Sequence, residues 1–131
     1  MPNIFTGKVV STKDGKIEIE TPDGLKIFAP EPEDLAGNAI TGFFVHPELI
    51  SLTPGTADAP PADSTKQTEL HGKIKEVFYQ GDFSEYTVSL EEMNMIMTVH
   101  LTRSGGYRMQ LPEGQDVTVS WDYGSNNVLT G

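Results

Sequence analysis

The chain has no cysteine in 131 residues. Disulfides and thiolate metal sites are therefore excluded, and the composition fits a reducing compartment. Basic residues are also scarce, nine Lys and Arg against 19 Asp and Glu, for a formal net charge of −10. Such a chain repels phosphate backbones and has no basic groove of the kind that gives non-specific nucleic-acid binders their affinity. Anionic lipid surfaces are disfavoured for the same reason. No run of about 18 apolar residues is present, so no helical membrane span is expected. The start, Met1 to Phe5, lacks the basic region and apolar core of a secretory signal. It leads straight into a strand pattern and reads as a boundary inside a longer chain. A phosphate-cradling Gly-Xaa-Xaa-Xaa-Xaa-Gly-Lys-Ser/Thr loop is missing as well, so this chain alone is not expected to bind or hydrolyse ATP. His46, His71 and His100 are scattered without metal-ligand spacing. Glu91-Glu92 and the group Glu31, Glu33 and Asp34 fall in turn-like stretches, where solvated acids are the default over catalytic pairs.

What is present alternates with a period of two. Ile17 and Ile19 alternate with Lys16, Glu18 and Glu20. Tyr86, Val88 and Leu90 alternate with Glu85, Thr87 and Ser89. Met95, Met97, Val99 and Leu101 share a face, as do Val117, Val119 and Trp121. Each set reads as a half-buried strand. Asp14-Gly15, Asp23-Gly24, Gly105-Gly106 and Pro112-Glu113-Gly114 punctuate them as turns. Helix is confined to possible single turns at Glu31–Leu35 and Pro47–Ile50. Short, evenly spaced strands predict an all-β chain closed into a barrel or sandwich.

Residues 57–70 break the rhythm. Ala57-Asp58-Ala59-Pro60-Pro61-Ala62-Asp63 is small, polar and Pro-rich, with nothing to bury, and reads as a linker or exposed loop. The flanks resemble each other: Gly7-Lys8-Val9-Val10 opens one and Gly72-Lys73-Ile74 the other, and each later carries a turn glycine followed by a β-branched residue, Gly37 with Ile40 and Gly114 with Val117. A weak internal repeat is inferred. Half of 131 residues would be a marginal domain alone, so two units, 1–56 and 71–131, are expected to pack together or exchange strands.

The order of features from His71 onward is specific. A Gly-led strand, His71-Gly72-Lys73-Ile74, reaches the turn Phe78-Tyr79-Gln80-Gly81-Asp82. Tyr86-Thr87-Val88-Ser89-Leu90 follows, then Pro112-Glu113-Gly114, then Val117-Thr118-Val119-Ser120-Trp121-Asp122. This order resembles the TOBE domain, the small OB-type barrel at the C-terminus of the ATP-binding subunits of ABC importers. Phe43-Phe44-Val45-His46-Pro47-Glu48-Leu49-Ile50 is similar to a family segment carrying Arg-Pro-Glu, with His46 at the Arg position. A role needing a permanent cation there is thereby in doubt. Ser104-Gly105-Gly106 shares part of the motor's signature loop, but its setting between strands reads as a β-turn.

The resemblance implies two OB-like barrels forming the regulatory and dimerisation region of such a subunit. The implied partners are the motor domain of the same subunit, a second copy of the subunit and, indirectly, the membrane permease subunits. A small-molecule or protein regulator is possible, ATP and magnesium belong only to the motor, and the complex would sit at the inner face of a bacterial membrane. Interface or ligand candidates are His46, Pro47, Glu48, Tyr79, Gly81, Met95, Met97, Trp121 and Asp122. Tyr79, Tyr86 and Trp121 are expected to fill the small barrel. Met93, Met95 and Met97 form a soft patch suited either to core filling or to an adjustable contact. Two rival readings stand beside this one: a stand-alone barrel binding a small oxyanion, which needs donors or cations converging on an anion, and a nucleic-acid-binding OB protein, which the charge opposes.

Overall fold

In a computed structural model the structure describes residues 3–32, 40–55, 66–79, 81–102 and 111–130. The turn at Ser104–Gly106, the Pro-rich segment 57–65 and the acidic pair Glu33-Asp34 lie outside them. Among the described residues the regular structure is all strand, apart from two single-turn 3-10 helices at Pro47–Leu49 and Tyr123–Ser125. Eleven strands follow in order: β1 Asn3–Thr6, β2 Lys8–Lys13, β3 Lys16–Glu20, β4 Lys26–Pro30, β5 Ile40–Val45, β6 Ser51–Pro54, β7 Gln67–Tyr79, β8 Phe83–Leu90, β9 Ile96–Thr102, β10 Asp116–Asp122 and β11 Asn127–Thr130. No helix among the described residues is long and apolar enough to cross a membrane.

The period-two pattern fixes which face each strand buries. Ile17 and Ile19 point inward from β3, Tyr86 and Val88 from β8, and Val117, Val119 and Trp121 from β10. Asp14 and Gly15 both take positive φ, 55° and 77°, and close the β2–β3 hairpin. That is the backbone sign a two-residue turn of this kind requires. β7 opens at Gln67, four residues ahead of the expected start at His71, because Thr68 and Leu70 alternate inward and pair along β10. The stretch Gln67–Leu70 is thus strand and not linker.

Two similar five-stranded arrangements emerge. Strands β1 and β2 form one line broken at Gly7; β1 pairs with β5 and β2 with β3. The order is therefore β11, β5, β1/β2, β3, β4. The second arrangement runs β6, β10, β7, β8, β9. In each, the end strand comes from the other half of the sequence. β6 leaves the first unit through the 3-10 turn at Pro47 and pairs with β10; β11 leaves the second through the turn at Tyr123 and pairs with β5. The units share strands reciprocally.

One core cluster runs through both. Phe5 stacks on Phe43 with ring centroids 4.7 Å apart, and Trp121 tilts against Phe5 at 6.0 Å. Trp121 donates its indole N–H to Asn126 Oδ1 at 2.7 Å, while Asn126 Nδ2 donates to the Phe28 carbonyl at 2.8 Å. Asn126 thus satisfies a core indole of the second unit and a strand carbonyl of the first.

Candidate functional site

The first concave feature arises where the β1/β2 line changes partners. Gly7 donates its N–H to the Thr41 carbonyl at 3.1 Å. A Cβ there would lie 2.6 Å from Ile19 Cγ2 and 2.8 Å from the Glu20 carbonyl oxygen, so the strands can approach only with glycine. Beside it a depression of about 430 Å³ is lined by Gly7, Lys8, Glu20, Thr21 and Pro22. Register places Lys8 opposite Glu20, and Glu20 opposite Lys26, a row of alternating charge across three strands. Thr21 is buried and rigidly held. Its Oγ1 accepts the Leu25 N–H at 3.2 Å, and its own N–H donates to the Leu25 carbonyl at 2.8 Å. A hydroxyl that accepts one hydrogen bond still has a proton to give. Lys8, Thr21 and Glu20 thus bring an ammonium, a hydroxyl and a carboxylate to the lining of one depression.

A second hollow, about 290 Å³, lies at the seam where β6 and β9, the outer strands of their sheet, approach each other. Glu48, Ile50, Ser51, Leu52, His100, Leu101 and Thr102 line it. Ile50 and Leu52 are buried at its base, and Glu48 and His100 flank it. Glu48 lies 4.0 Å from His46 Nδ1, and His100 Nε2 lies 2.9 Å from Glu85 Oε1.

Away from both hollows, His71 fastens the turn after β8. Its backbone N–H donates to both oxygens of Glu92, at 2.8 and 3.1 Å, and its Nδ1 lies 2.8 Å from Glu92 Oε2. Nε2 stands 3.8 Å from Glu69. Glu92 is therefore a structural acceptor and not the freely solvated turn acid expected. Among the described residues no group of three or more His, Cys, Asp or Glu could hold a metal ion.

The sequence-derived candidates do not converge. Glu48 lines the seam hollow, His46 precedes the 3-10 turn at its edge, and Pro47 is buried at the first position of that turn. Gly81 sits in the β7–β8 turn with φ 76°. Tyr79 does not fill the barrel: the 13-residue β7 outruns the core, and Tyr79 at its end is 55% exposed. Met97 and Trp121 are core residues, and Met93 and Met95 pack on or within that core, so the methionines are filling and not an open patch. Asp122 is exposed ahead of the second 3-10 turn. Thr21 and His100, which line the hollows, carry no sequence motif, and Lys8 stands out only within the Gly7-Lys8-Val9-Val10 repeat. Their roles come from register.

Comparison with known proteins completes the description. The TOBE domain family model matches residues 43–129, from β5 to β11. It starts at Phe43 and takes in β6, the strand that the first half of the sequence lends to the second sheet. No curated protein matches the chain in sequence. Among solved structures, the chain is similar to the cytoplasmic molybdate-binding protein ModG in its molybdate-bound crystal form. The TM-score is 0.74 at 18% identity, over 96% of this chain and 94% of that one. At this identity the likeness is one of fold.

Proposed function

This chain belongs to the TOBE domain family, and from that premise we propose that it is a non-catalytic binding module for a small tetrahedral oxyanion. The observation that carries the reading is the depression at Lys8 and Thr21. Lys8 and Thr21 both line it, in a fold whose likeness to a molybdate-binding protein covers 96% of this chain and 94% of that one. Oxyanions are held by a few converging donors at short range, which a net charge of −10 opposes only through its long-range field. Added salt should therefore speed association. Titration calorimetry with molybdate, tungstate and sulfate tests the proposal. Binding of at least one is expected, with loss of most of the affinity in Lys8→Met. Absence of binding to all three defeats it.

A second reading is favoured by one specific observation. The segment Phe43–Ile50, similar to the importer segment carrying Arg-Pro-Glu, is the crossing by which β5 hands over to β6 and ties the two units together. On this reading the chain is the regulatory and dimerisation region of an ABC importer's ATP-binding subunit at the inner face of a bacterial membrane. A motor of the same subunit would bind ATP and magnesium, and a second copy would pack against the barrels. A fixed accessory contact would keep the two motors at high effective concentration through each cycle, and a ligand would act by favouring one dimer arrangement. A phosphate loop encoded in frame ahead of Met1 would support this reading. A stop codon there would remove it.

A further inference from the structure

The outer face of strands β7 to β9 carries a feature that neither reading uses. Val77, Ser84, Tyr86 and Val99 point toward the core or pack against it, so alternation turns Phe78, Phe83, Glu85 and His100 the other way. Glu76 shares the face with Phe78. Register sets Phe78 opposite Glu85 and Glu85 opposite His100. One row across three strands thus reads aromatic, carboxylate, imidazole. The Phe83 ring lies 4.6 Å from the His100 ring, and His100 Nε2 is 2.9 Å from Glu85 Oε1. Phe78 is 50% exposed.

The local charge selects the partner. Glu76 and Glu85 lie on the face and Asp82 in the adjoining turn. Of the neighbouring lysines, Lys73 lies 3.8 Å from Asp116, and Lys75 is the bulged residue between Ile74 and Glu76. A purely apolar partner would strand Glu76 and Glu85 without water or countercharge. An acidic partner would be repelled by the face and by the whole chain. A guanidinium meets both demands: it stacks flat on an aromatic ring and gives two parallel N–H bonds to a carboxylate. Among the described residues, Glu85 bonds His100 through one oxygen, Oε1, and makes no hydrogen bond through the other.

We infer that the face formed by Glu76, Phe78, Phe83, Glu85 and His100 is a docking surface for an arginine-bearing segment of a partner protein. An ammonium cannot stack or fork in this way, so lysine is a poorer occupant.

The test uses the intact chain and three synthetic decapeptides, alternating Arg-Gly, Lys-Gly and Glu-Gly, in calorimetry at low ionic strength with amide-shift mapping. The Arg-Gly peptide is expected to bind, to outcompete Lys-Gly, and to shift amides within 76–87 and 96–102. Glu-Gly should give no heat. Phe78→Ser at an exposed position and Glu85→Gln at a half-buried one should each weaken Arg-Gly binding about tenfold. No binding by Arg-Gly overturns the inference, as does equal binding of Lys-Gly, shifts centred elsewhere, or affinity unchanged in Phe78→Ser. Self-association of the wild-type chain that Phe78→Ser abolishes would also overturn it, since a second copy would then be the occupant.

Discussion

Asn126 shows how much one polar side chain can carry. It is buried and takes the Trp121 indole N–H on one side while giving an N–H to Phe28 on the other. Asn126→Ala leaves the buried Trp121 indole N–H unpaired, at about 1–3 kcal/mol, and takes a partner from the half-buried Phe28 carbonyl. Urea unfolding should show that loss, with the Trp121 fluorescence maximum shifting as its hydrogen bond goes. Gly72 is a second such point. A Cβ there would run into the Ser89 carbonyl and Val88. Because backbone cannot rotate away as a side chain can, Gly72→Ala should cost about 1–3 kcal/mol. Gly124 has open space where a Cβ would go, so Gly124→Ala should stay within about 0.5 kcal/mol by the same measurement.

At the scale of elements, bulges and edges decide the surface. The β2–β3 and β7–β8 pairings both shift register, at Val10 and at Lys75, each three residues after a glycine that admits no Cβ. This gives the weak repeat of Gly7-Lys8 and Gly72-Lys73 a structural counterpart. The bulge also places chemistry. An unbulged hairpin closed by Asp14-Gly15 would set Lys8 against Thr21, whereas the bulge sets it against Glu20. Edges need cover too, because an open strand invites pairing with another chain. β9 is an outer strand, and the Asn3 side chain pairs with its Thr98 like a single rung, Nδ2 to the carbonyl at 2.8 Å and Oδ1 from the N–H at 2.7 Å. In Asn3→Ala, hydrogen exchange at the Thr98 amide should accelerate while amides in β3 keep their protection.

For the whole molecule, the exchange of β6 and β11 governs stability. Each unit lacks one strand of its own, and the shared core joins Phe5 and Phe43 of the first half to Trp121 of the second. Neither half can bury its core alone. Fragments cut between Gly55 and Lys66 should therefore be unfolded when separate, and should regain β-sheet circular dichroism and co-elute as one species when mixed. Two fragments that fold independently would contradict this account.

The chain by itself determined the all-β character, the inward faces of β3, β8 and β10, and the Asp14-Gly15 turn, because alternation and positive-φ turns are local properties of neighbouring residues. It also signalled that the two parts must share a core, since neither is large enough alone, and the order of motifs after His71 pointed to the TOBE family. Only the tertiary structure decided which strands cross over, that Tyr79 faces solvent while Trp121 does not, and that Lys8 and Thr21 line one depression and Phe78, Glu85 and His100 share one face. Those outcomes depend on register, bulges and exchange between residues far apart in sequence. A one-residue shift in any of them would send a different set of side chains to the surface.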